Sequence, residues 1–127
     1  MTRGAPPIDW RAVLIGGAVA VGTSLLLSIS SQVVGAGSVG AGIAAGAAVA
    51  GRLAKARSAF HGGLVAVLWI AAEALADPLR PAPGDALSDT ALTVVADVIR
   101  LGLGVLFGWL GGHTARWPGV GGGRAPA

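Results

Sequence analysis

Residues 12 to 31 read AVLIGGAVAVGTSLLLSISS, twenty residues without a charge. At about 1.5 Å of rise per residue a helix of that length reaches roughly 30 Å, the thickness of a bilayer's hydrocarbon core. Asp9, just ahead of the run, is a favoured N-cap type, because its carboxylate can accept the unpaired N–H groups of a starting helix. The stretch therefore predicts a membrane-spanning helix over about 12–32, preceded by a polar segment 1–11.

Three further runs follow. Residues 35–54 are almost wholly Gly, Ala, Val and Ser, and residues 58–76 carry one charge, Glu73, near their end. Asp77-Pro78 stops that third run, since Pro disfavours the α region in the residue before it. Asp77 to Asp89 holds three Pro and reads as a loop. A fourth run spans 90–112, with Ser88 or Asp89 expected as its N-cap. The Gly/Pro-rich segment 113–127 reads as a disordered tail. The expected architecture is all-α, an integral membrane bundle of four transmembrane helices.

Composition agrees. Hydrophobic residues make up 54% of the 127 residues and charged residues 12%, about half the charged share of a soluble domain. That is too little polar surface to coat a soluble fold. The 22 Gly sit among Ala, Val and Leu, where in lipid they let helix backbones approach closely. With no Cys, disulfides and thiol chemistry are excluded.

Charge placement sets an orientation. With four spans, Arg3, Arg11, Arg52, Lys55, Arg57, Arg116 and Arg124 share one side, and the other holds Arg80 beside Asp77, Asp85 and Asp89. Seven basic residues against one is a positive-inside bias, which predicts both termini in the cytoplasm; the expected location is the plasma membrane. Three spans would erase the asymmetry. Reading the first run as a cleaved signal peptide ending at Ser28-Ile29-Ser30 is the alternative, but the run is long for a signal peptide's core.

Packing signals concentrate in the second run. Ser38, Gly42, Gly46 and Ala50 recur every four residues and form one groove along a helix, with a GxxxG inside it. Ala36, Gly40, Ala44 and Ala48 form a second row, so this helix suits a central position. The groove predicts close packing within the chain or, through helix 2, a homo-oligomer.

Glu73, Asp97 and Arg100 are the intramembrane charges. Asp97 and Arg100 are i and i+3 on one helix face, and a long Arg side chain directed outward can meet both carboxylates in the outer half of the bundle. Such residues avoid lipid and are candidates for a proton or cation site; the plainer expectation is an ion pair fixing helix 3 against helix 4. His61, one turn into helix 3, is expected at the interface, with pH sensing or headgroup binding as its functional alternative. His113 suits a C-terminal cap. Trp10, Trp109 and Trp117 fall near the cytoplasmic boundary, and Trp69 reads as a packing residue. Arg52, Lys55 and Arg57 are expected to contact anionic lipid headgroups, worth about 1 kcal/mol per basic residue.

No nucleophile elbow, phosphate-binding loop or HExxH is present. No catalytic residue, cofactor, metal or nucleic-acid partner is expected, and the chain does not read as an enzyme.

Gly46 to Leu64, with Ala50-Gly51 before a polar turn and His61-Gly62 opening the next helix, resembles a pattern in small prokaryotic membrane proteins of unknown function. Trp10-Arg11 ahead of the first helix extends the likeness to about half the chain, in motifs dominated by Gly and Ala. The resemblance implies a compact four-helix membrane protein and no activity. The expected role is that of a structural or accessory protein acting through helix packing. The alternatives are a small transporter or channel using Glu73, Asp97 and Arg100, whose substrate or ion stays open, and a holin-like protein.

Overall fold

The computed structural model describes residues 7–30, 36–54, 56–76 and 86–116. They form four helices, α1 (Trp10–Ser30), α2 (Ala36–Leu53), α3 (Ser58–Ala76) and α4 (Ala86–Ala115), with no strand among the described residues. The N-terminal segment up to residue 6, most of the loop expected at 77–89, Lys55 and the tail from Trp117 lie outside the described residues.

Local chemistry fixes the helix starts. At α1, the Ala12 N–H donates to Asp9 Oδ1 at 3.2 Å, while the Asp9 carbonyl accepts the Val13 N–H. At α3, the Arg57 carbonyl accepts the N–H groups of Phe60 and His61 at 3.0 and 3.2 Å. Arg57 does this at φ 53°, a left-handed conformation that costs a residue with a Cβ about 1–2 kcal/mol. At α4 the expectation needs correction. The helix begins at Ala86, so neither Ser88 nor Asp89 is its cap. Both residue types are also favourable within a first turn, where Asp faces the positive end of the helix dipole. The helix runs on to Ala115, and Thr114 Oγ1 donates to the Gly111 carbonyl at 2.9 Å.

The helices run alternately up and down. Gly16 lies against Gly46 and Ala50, and Ser24 against Gly42, which makes α1 and α2 antiparallel. Ser58, Gly62 and Ala66 face Gly112, Gly108 and Gly104, which does the same for α3 and α4. Around the bundle the order is α1, α2, α4, α3. α2 touches the other three helices, α1 and α4 do not meet among the described residues, and α1 meets α3 most sparsely.

Close approach is the packing principle. A Cβ on Gly46 would stand 2.3 Å from the Gly16 carbonyl oxygen and 2.7 Å from Ala20 Cβ. One on Gly108 would stand 2.7 Å from both Gly62 Cα and the Ser58 carbonyl oxygen. Neither position can hold a side chain without the backbones parting. In lipid, where no hydrophobic effect drives helices together, such contact supplies the van der Waals energy of association.

Among the described residues, three helical stretches are long and apolar enough to cross a membrane: Trp10–Ser30, Ser58–Ala76 and Thr90–Ala115. α2 is the shortest of the four helices, its 18 residues reaching about 27 Å, with Arg52 near its end. Leu26, Ile29, Leu75, Leu92 and Val98 stand exposed, an outer surface suited to a hydrocarbon solvent.

Candidate intramembrane charge site

The two halves of the α3–α4 pair differ. Near the start of α3 the glycine row of α4 holds the backbones in contact. Beyond Ala66 and Gly104 the facing rows carry Ile70 and Glu73 on α3 and Arg100 and Asp97 on α4, in place of the small residues. Between them lies a cleft of about 310 Å³ lined by Ile70, Glu73, Leu92, Thr93, Asp97 and Arg100, among others.

The structure brings Glu73, Asp97 and Arg100 together at this cleft. Arg100 Nη1 donates to Glu73 Oε2 across the two helices and to Asp97 Oδ1 at 3.1 Å one turn away on its own helix. The side chains of Arg100, Glu73 and Asp97 retain 18%, 26% and 29% exposure, so the group is half-sheltered and open on one side. One guanidinium answers two carboxylates. With both carboxylates ionised the cluster carries one excess negative charge, beside a space large enough for a small polar guest. Among the described residues, no group of three or more His, Asp and Glu is placed to hold a metal ion.

Comparison with protein-family models, curated proteins and solved structures gives no match. What the site can do is therefore read from its own geometry: it ties α3 to α4 where backbone packing no longer does, and it offers a net-acidic cleft to a cation or proton.

The other residues singled out in the sequence fall elsewhere. Ser38, Gly42, Gly46 and Ala50 line the α1 side of α2, where Ser24 and Ser28 donate to the Ser38 carbonyl and hydroxyl, each at 3.3 Å. A second copy would reach that row only by displacing α1. From the second row, Gly40 faces Leu103 and Ala48 faces Gly111 of α4. Arg52 and Arg57 are exposed at the same end of the bundle as Arg11 and Arg116. Trp10 and Trp109 stand half-exposed at that end. His113 stacks on Trp109, with ring centroids 5.3 Å apart. Trp69 packs against the core of Val13, Ala20, Ala50 and Val65, and its buried indole N–H has no partner.

Two features escaped the sequence reading. The row Gly104, Gly108 and Gly112 on α4 has the same four-residue spacing as the α2 row and was open to the same inference. His61 is buried, and its ring joins α3 to the start of α1. No local pattern points to that joint.

Proposed function

We propose that the chain is a four-span protein of the plasma membrane with both termini in the cytoplasm, and that it works as a structural or accessory component through helix packing. The observation that carries this reading is backbone-to-backbone contact on three helix pairs, with α2 held among the other three helices. A helix so enclosed has no need of the outer apolarity that the others present to lipid, which supports counting α2 as a fourth span. Arg11, Arg52, Arg57 and Arg116 gather at one end, in keeping with a cytoplasmic face that also contacts anionic headgroups.

Reconstitution tests this reading. Purified protein in liposomes is expected to give no proton or monovalent-cation flux above empty vesicles. Native mass spectrometry in lipid discs is expected to give a monomer, because α1 already fills the α2 groove; a stable oligomer would instead support assembly through α2 after α1 leaves it.

One observation favours a second reading, a small transporter or channel. It is the excess carboxylate on the Glu73–Asp97–Arg100 cleft. Flux that Asp97→Asn abolishes while the melting temperature holds would establish transport and overturn the structural role.

A further inference from the structure

Among the described residues His61 is the one buried ionisable side chain, with 4% of its surface exposed. Its two ring nitrogens meet backbone groups of two different segments. Nε2 lies 3.0 Å from the Asp9 nitrogen ahead of α1. Nδ1 lies 3.0 Å from the Arg57 carbonyl oxygen ahead of α3. A backbone N–H can only donate and a carbonyl can only accept, so the neighbours dictate the tautomer. The proton sits on Nδ1, and Nε2 offers its lone pair to the Asp9 N–H. Neutral imidazole satisfies both contacts. Imidazolium carries a proton on each nitrogen and would set Nε2–H against the Asp9 N–H.

The joint lies on the α1–α3 seam, the most sparsely packed contact in the bundle. His61, Val65 and Trp69 follow one another at four-residue spacing along one face of α3. Val65 packs on Gly16 of α1. Trp69, one turn further, leaves its buried indole N–H unpartnered, so the closed seam does not meet every polar demand inside it. Other ionisable groups gather at this end. They are Asp9 and Arg11 at the start of α1, Arg52 at the end of α2, Arg57 ahead of α3, and His113 and Arg116 at the end of α4. Asp9 and Arg57 touch the ring, both through the backbone. The Asp9 carboxylate is turned to the Ala12 N–H as a helix cap.

We infer that His61 is a proton-sensitive bolt on this seam. When neutral, it fastens the start of α1 to the start of α3. A proton from solution adds to the Nε2 lone pair, the Asp9 N–H loses its acceptor and turns to water, and the Nδ1–H bond to Arg57 stays. The N-terminal end of α1 then parts from α3. The exposed arginines at this end add like charge to the imidazolium and work in the same direction. The inference holds whether or not the charge cleft transports anything.

The absence of Cys makes the test direct. Spin labels on Leu14→Cys of α1 and Val67→Cys of α3, both exposed positions, report the seam's width in lipid discs. ¹⁵N-histidine NMR in a His113→Gln background reports the His61 ring alone. At about pH 8 the ring is expected in the Nδ1–H form. As the pH is lowered toward about 5, the doubly protonated ring signal and the widening of the label distances are expected to appear with one midpoint. His61→Gln should remove that response. An Nε2–H tautomer at about pH 8, a ring still neutral at about pH 5, a protonated ring with unchanged distances, or a response that survives His61→Gln would each overturn the inference. Unchanged distances would mean that the Asp9 carboxylate has swung over to the new Nε2–H. Should His61→Gln not fold, the two titrations of the otherwise native chain decide alone.

Discussion

Among the described residues Arg57 is the one non-glycine residue with a positive φ. Its φ of 53° suits Gly, which has no Cβ to clash, and Arg57→Gly is expected to stabilise the fold by about 1 kcal/mol. Arg57→Ala, which keeps the Cβ, should not. Thermal unfolding in detergent measures both. At the charge cluster, Arg100→Gln leaves two carboxylates facing each other and should cost about 2 kcal/mol, less than a fully buried pair would lose. Adding Glu73→Gln and Asp97→Asn should recover most of that loss, which a mutant cycle of unfolding free energies checks. These residues also mark how far sequence reasoning reached. The Asp9 cap and the Asp97–Arg100 pair were legible because their partners lie within one turn. Glu73 came within reach because the depths of two runs could be compared. The His61 joint was not legible. Its partner is a backbone N–H 52 positions away, a group that almost any residue at that position would supply.

For whole elements, the deciding quantity is how near two backbones come. Gly108→Ala places a methyl 2.7 Å from Gly62 Cα and is expected to destabilise by about 1–3 kcal/mol, the usual cost of overpacking. Gly102→Ala meets nothing within 4 Å and should be neutral, or stabilising by up to about 1 kcal/mol through helix propensity. The same unfolding assay on the two variants separates packing from propensity. The α2 row could be read in advance because four small residues at a constant spacing define a groove whatever lies opposite. Which helix fills the groove is a matter of topology, and only the assembled bundle shows that it is α1. The start of α4 was misplaced because Ser88 and Asp89 suit a first turn as well as a cap.

The molecule as a whole is asymmetric end to end. Arg11, Arg52, Arg57, Arg116 and the half-exposed indoles of Trp10 and Trp109 collect where α1 and α3 begin, and Glu73 and Asp97 lie toward the opposite end. In the proposed orientation, single cysteines at Ala56 and Arg116 are expected to react with an impermeant maleimide only after cells are opened, whereas one at Ala76 should react in intact cells. Labelling of Ala56→Cys from outside would reverse the topology. The run at 12–31 and the charge asymmetry carry this level of description from sequence, since both depend on composition along the chain and not on three-dimensional partners.

Glycine at the contact positions also constrains the gene. Any base change in the first two positions of a glycine codon that still encodes an amino acid encodes a bulkier one. At Gly46 and Gly108, mutation therefore moves in one direction only, toward forcing two helices apart, with no smaller residue to retreat to. Positions such as Leu26, Ile29 and Val98 can exchange among apolar residues at little cost. Divergence in such a chain should accumulate on its outside, while its seams change rarely or in compensating pairs.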